Sequence, residues 1–241
     1  VKTDPQLQDE FGEVADTFLD FINTHLFEKN DQYWVQMSPD SGAYQFEAKI
    51  TDRFPNRIMP HNQYLALARA WLVLKDVEGA HPEMGERVQQ MAQYFKDSLH
   101  LDEENNAYSW HYWDWIEYGE ADNSFWEDTS HGHIDISFAI EAARRGVVFT
   151  DQDLQRLANT WLKVMWNGAE EDPGMASRVD GSEPYRFSAL LKDWSALSQW
   201  DPQVYELALT EFEAMDAEGQ AKWAPAMLFS AQRAGVELNA D

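Results

Sequence analysis

The sequence predicts an all-α fold: an α/α toroid, an incomplete barrel of about four helical hairpins with its long loops on one rim. Three observations predict it. Apolar residues recur at helical spacing in segment after segment. Tight connections alternate with long ones along the chain. The long connections hold most of the polar aromatic residues. In antiparallel helix pairs alternate connections lie at opposite ends, so the long ones share a rim. The 241 residues suit one domain, 1–241.

The first helix is expected over about 4–26, with Leu7, Phe11, Val14, Ala15, Phe18, Ile22 and Leu26 as one stripe. The second covers about 61–78, with Tyr64, Leu67, Ala68, Trp71 and Leu72. The third starts at Pro82, a favoured first-turn residue, and its stripe runs from Met84 to Leu99. The fourth, about 131–145, is apolar almost all round (Ile134, Ile136, Phe138, Ala139, Ile140, Ala142) and therefore reads as an inner helix closed by Gly146. The fifth starts near Thr150 and stops at Gly168, the sixth covers about 186–199, and the seventh follows Asp201-Pro202. A last helix is expected over about 222–234. Long segments at about 27–60, 100–130 and 169–185 then fall on one rim, and long loops in compact domains usually carry function.

The first rim segment offers Tyr33, Trp34, Tyr44, Phe46, Lys49, Arg53 and Arg57, and leads to His61 and Asn62 at a helix start. The second holds Tyr108, Trp110, His111, Tyr112, Trp113, Trp115, Tyr118 and Trp126, and ends in Glu127-Asp128-Thr129-Ser130-His131-Gly132-His133. The third holds Arg178, Asp180, Tyr185 and Arg186. Aromatic faces stack on sugar rings, and they also pack loops down onto helix ends. Trp71, Trp161 and Trp194 sit on helix stripes and read as core. A histidine at a helix mouth can act as general acid or base, and a tyrosine near arginines can serve as a base because positive charge favours the phenolate. Glu127, Asp128, His131 and His133 could ligate a metal, but they show no recognised ligand spacing, and the reading takes no metal and no cofactor.

The charge of −25 argues against nucleic acid and against an anionic membrane as partners. No apolar run approaches the ~20 residues that span a bilayer. The absence of cysteine removes disulfides, thiolate zinc sites and a cysteine nucleophile. No signal peptide opens at Val1. The acidic balance fits a secreted or periplasmic protein, expected to act as a monomer.

The helix start His61-Asn62-Gln63-Tyr64, the mouth Ser130-His131-Gly132-His133 and the Arg178…Tyr185 loop together resemble the α/α-toroid polysaccharide lyases, including alginate lyases of family 5 and glucuronan lyases of family 38. The resemblance covers roughly residues 55–195. It implies β-elimination on an acidic polysaccharide of the alginate or glucuronan type. Asn62 would neutralise the uronate carboxylate with help from Arg178, Tyr185 would act as acid, base or both, and His131 would be partner base or neutraliser. His133, Trp110, Trp113, Arg186, Arg57, Trp34 and His61 would bind substrate. The sequence departs from the family-5 pattern at Gln63, where a histidine follows the asparagine, and this shifts the neutralising role toward His131 or His133. Donors aimed at the carboxylate stabilise the enolate-like transition state, and Lys49, Arg53, Arg57, Arg178 and Arg186 predict a cationic cleft in an acidic body.

Three rival readings use the same residues. A glycoside hydrolase needs two carboxyl groups ~5–9.5 Å apart, with candidates in Asp114, Glu117, Asp122, Glu127 and Asp128 opposite Asp180 or Glu183. A uronyl C5-epimerase shares the first half of the lyase mechanism. A non-catalytic carbohydrate-binding protein would use the tryptophans alone.

Overall fold

A computed structural model describes residues 4–47, 56–113, 126–169, 174–183 and 194–236. The protein is mostly α, as expected, with two small antiparallel hairpins in place of bare loops. The chain divides into two compact units, residues 1–95 and 96–241.

In the first unit, α1 (Pro5–Phe21) starts where Asp4 accepts from the Gln6 and Leu7 amides, with proline in the first turn. It runs into a π-helical turn, Ile22–Phe27, and the short α2 (Glu28–Asp31). The π turn breaks the simple helical register and Phe27 ends fully buried. The stripe expected to face the core does not: Leu7, Phe11, Val14, Phe18 and Leu26 are exposed, Phe18 by 64%, and α1 buries Gly12 and Leu19 instead. The interior is filled by Phe27, Tyr44, Tyr64, Leu65, Trp71, Leu72 and Phe95.

The first hairpin pairs β1 (Trp34–Ser38) with β2 (Ser41–Tyr44), in a register matching Trp34 with Tyr44 and with a bulge between Gln36 and Ser38. Gly42 in β2 lies directly under Trp34. A methyl group there would meet the indole at 2.4 Å and the Val35 carbonyl oxygen at 2.7 Å. Helix α3 (His61–Leu74) follows the extended Pro60, and α4 (Met84–Asp97) closes the unit, its last residues opening the next. Arg87 of α4 makes a fork to both oxygens of Asp31, at 2.6 and 3.0 Å, and stacks 4.6 Å over the Trp34 ring.

In the second unit, β3 (His100–Asp102) and β4 (Ala107–Ser109) pair across a turn. The hairpin is tied to α6 (Asp151–Asn159). Tyr108 donates to Asp153 at 3.0 Å, Lys96 meets the same carboxylate at 2.7 Å, and the Tyr108 amide donates to Thr160 in the π-helical continuation Thr160–Met165. Thr150 and Asp153 form a reciprocal capping box at the start of α6, the boundary expected from the sequence. Helix α5 (Thr129–Arg144) buries Ile136, Phe138, Ala139, Ile140 and Ala142, as an inner helix should. A 3₁₀ turn (Ser195–Gln199), α7 (Gln203–Glu213) and α8 (Ala217–Arg233) complete the unit. Of the sixth expected helix, residues 186–193 lie outside the described residues, and 195–199 form the 3₁₀ turn.

Glu211 of α7 is fully buried, and neither carboxylate oxygen has a hydrogen-bond donor among the described residues. Burial pushes its pKa from 4.5 up to about 8. Below pH 4.5 the folded and unfolded forms are both protonated. Above it the unfolded chain ionises first, so this group costs stability progressively as pH rises toward 8.

Two outcomes are expected. Gly42→Ala should lower stability by about 1–3 kcal/mol in urea unfolding, because the added methyl meets backbone as well as indole. Glu211→Met should raise the melting temperature at pH 8 and leave it nearly unchanged at pH 4. Removing the charge contributes at most about 4 kcal/mol at the higher pH, and an equal shift at both pH values would show that Glu211 does not take up a proton on folding.

Candidate functional site

The chemistry of the second unit gathers at the first turn of α5. Asp128 stands at the N-cap in an extended conformation. Its Oδ1 accepts from the Ser130 amide at 2.8 Å, the His131 amide at 3.0 Å and the Ser130 hydroxyl. Its Oδ2 meets Nδ1 of His131 at 2.6 Å. Burial pushes the Asp128 carboxyl up, but the hydrogen bonds from Ser130 and His131 outweigh it and hold the group below the usual aspartate range. The carboxylate therefore stays charged and accepts the hydrogen on Nδ1 of His131. The His131 side chain is 47% exposed, and Nε2 makes no hydrogen bond among the described residues. The half-buried Tyr112 presents its ring edge to the imidazole at 5.4 Å.

Glu127 and Asp135 lie behind this pair, and both are completely buried. Oε1 of Glu127 accepts from the Asp128 amide at 2.8 Å, and Oδ2 of Asp135 accepts from the Trp110 indole at 2.9 Å. Their ionisations are linked, and each carboxyl group shifts the pKa of the other. Among the described residues Oε2 of Glu127 and Oδ1 of Asp135 have no hydrogen-bond partner, so ionising either acid here costs more than in water. Burial, and then the Asp135 charge, drives the Glu127 pKa far upward. Burial also raises Asp135, against the lowering effect of the bonds from Trp110 and Glu127. Both carboxyl groups therefore titrate above the ordinary carboxyl range, and the pair holds a proton at neutral pH.

The main chain is fixed from several sides. The Glu127 amide donates to Trp110 and its carbonyl accepts from Val179, at 2.9 and 3.0 Å. Asp128 bridges to Arg178, and the Thr129 amide donates to Ser177. Trp194 donates to the Thr129 carbonyl at 3.1 Å and stacks on Trp110. A side chain at Gly132 would meet Trp110, Glu127 and Trp194 within 3.4 Å, so glycine is what lets this turn seat on the tryptophans.

Glu127, Asp128 and His131 can bring one ligand atom each within 4.8 Å of one another. However, Oδ1 of Asp128 is occupied by the cap donors and Oδ2 by Nδ1 of His131, so hydrogen bonding accounts for both Asp128 oxygens without an ion.

Several expected site residues are placed differently. Trp110 and Trp113 are buried and cannot offer a face to sugar; the Trp110 indole is needed at Asp135. Trp34 is half-buried, donates to Gln36 and carries Arg87 on its ring. His61 is buried in the first unit, its Nδ1 2.6 Å from the Tyr64 hydroxyl. Asn62 is 4% exposed in the same unit, and its Oδ1 has no donor among the described residues. Arg57 and His133 are half-buried. Arg178 is not a free cation: it bonds Glu183 at 2.9 Å and the Trp126 carbonyl at 3.0 Å. Tyr185, Arg186, Lys49, Arg53, Trp115, Tyr118, Asp114, Glu117 and Asp122 lie outside the described residues. Asp135 and its pairing with Glu127 were missed. The available signal was an aspartate inside the most apolar helix of the chain.

No family model, no curated protein and no solved structure matches this chain.

The proton held by Glu127 and Asp135 gives a signed prediction. The folded protein binds a proton that the unfolded chain has lost above the ordinary carboxyl range, so stability falls as pH rises through neutrality, by up to about 1.4 kcal/mol per pH unit for one proton. Glu127→Gln keeps the acceptor for the Asp128 amide and supplies an N–H to Asp135 without a proton. Its unfolding free energy should be flatter between pH 5 and 8 than that of the wild type. Parallel curves would mean that the pair holds no proton.

Proposed function

We propose that this chain is a polysaccharide lyase that cleaves a uronate polymer of the alginate or glucuronan type by β-elimination. The observation that carries the reading is the Asp128–His131 pair. A carboxylate fixes Nδ1 of the imidazole at 2.6 Å, and Nε2, on a half-exposed side chain, has no partner among the described residues. An imidazole held in this way is a general base with its lone pair on the outward nitrogen. Nε2 takes the C5 proton, the released electron pair forms the C4–C5 double bond, and the C4–O4 bond breaks. The leaving O4 takes a proton from a phenol, the role that the family resemblance gives Tyr185.

Elimination also needs positive character at the substrate carboxylate. Arg178, paired with Asp128 along the main chain, already holds the carboxylate of Glu183, which is 47% exposed. A surface pair of this kind is weak, and a uronate carboxylate can replace Glu183 in it.

Incubation with alginate, glucuronan, ulvan and hyaluronan, following the ultraviolet absorbance of the unsaturated product, is expected to give turnover on at least one polymer. His131→Ala should lower kcat there by about 10²–10⁴-fold. New reducing ends without the absorbance would identify a hydrolase, and turnover of none of the four would end the lyase reading.

A further inference from the structure

The buried carboxyl pair costs the protein free energy. A pair of leucines would occupy similar space without burying two acids, and replacing buried polar pairs by apolar ones is often neutral or stabilising. What Glu127 and Asp135 supply that leucine cannot is direction. Oε1 of Glu127 accepts from the Asp128 amide at 2.8 Å, immediately before the residue that grips the imidazole. Oδ2 of Asp135 takes the Trp110 indole at 2.9 Å. The Trp110 carbonyl in turn accepts from the Glu127 amide, at 2.9 Å. The result is a continuous path, from Asp135 through Trp110 to the Glu127 main chain, and from the Glu127 side chain to the Asp128 amide.

We propose that Glu127 and Asp135 are positioning residues for His131. The buried run Asp135–Trp110–Glu127 fixes the Asp128 main chain, and Asp128 in turn fixes the hydrogen on Nδ1 of the imidazole. The proposal rests on the reading of His131 as the base. It extends that reading two residues into the core, to groups that never touch substrate. Partners placed behind a working imidazole orient it and choose its tautomer, and removing such partners commonly costs 10–100-fold.

The test uses two kinds of variant in the full chain. Glu127→Gln and Asp135→Asn keep a hydrogen-bonded chain of the same shape. Glu127→Leu and Asp135→Leu break it while keeping the bulk. Two readouts are followed: kcat and KM on whichever uronate polymer the wild type cleaves, and the tautomer of His131 from the ¹⁵N shifts of its ring nitrogens. The leucine variants are expected to lose about 10–100-fold in kcat with KM within about twofold, and to shift His131 from the Nδ1–H form toward the Nε2–H form that an unconstrained imidazole prefers. The amide variants should retain both the rate and the tautomer. Folded leucine variants with the wild-type tautomer would overturn the proposal, as would amide variants as impaired as the leucine ones. If the leucine variants do not fold, Trp110→Phe decides through the same ¹⁵N shifts. It removes only the far donor, and an unchanged tautomer there overturns the proposal. Absence of turnover on every polymer counts against the lyase alone, because the tautomer ratio is read without substrate.

Discussion

The first turn of α5 depends on one buried hydrogen bond, from the Asp128 amide to Oε1 of Glu127. A helix N-terminus has amides to satisfy, and Asp128 satisfies them from outside. Asp128 can do so only if its own main chain is held extended, and Glu127 holds it through the Asp128 amide. Asp135, in the second turn of α5 itself, holds the Trp110 indole, and the Trp110 carbonyl holds the Glu127 amide. The same helix therefore supplies both the capped end and the side chain that stabilises the cap from behind. Trp110 and Trp194 fit against this arrangement, and Gly132 makes room for them.

The electrostatics run from a protonated interior to a charged edge. Glu127 keeps its proton because a second charge beside Asp135 would have no water around it. Asp128, one residue on, stays ionised because backbone and side-chain donors surround it. Two adjacent acids thus take opposite protonation states, set by burial and by hydrogen-bond donors. In a protein of charge −25, this places a localised carboxylate at the edge, against His131. Arg178 and Glu183 balance one another beside this edge.

Part of the molecule was legible in the sequence for identifiable reasons. Helix α5 is apolar on nearly all sides, and such a helix has to be internal. Thr150 with Asp153 is a capping box in sequence and in structure. Trp71, Trp161 and Trp194 lie on apolar stripes and are buried. Periodicity also misled. The stripe on α1 is as regular as any in the chain, yet Phe11, Val14 and Phe18 face outward, because periodicity identifies an apolar face and says nothing about whether a partner covers it. The strands escaped notice because β3 and β4 are three residues each, too short for an alternating pattern to register.

The candidate site divides along the same line. The local chemistry was determined by the sequence itself: an Asp-x-x-His at a helix start places a cap and an imidazole three residues apart, which on a helix is one face. So was the exclusion of cysteine chemistry. Only the tertiary structure decided that Trp110 turns inward to Asp135 instead of outward to a ligand, and that Arg178 carries Glu183. The reason is physical. Whether a tryptophan shows its ring or spends its N–H in the core depends on a buried acceptor 25 residues away, and neither spacing nor composition carries that distance.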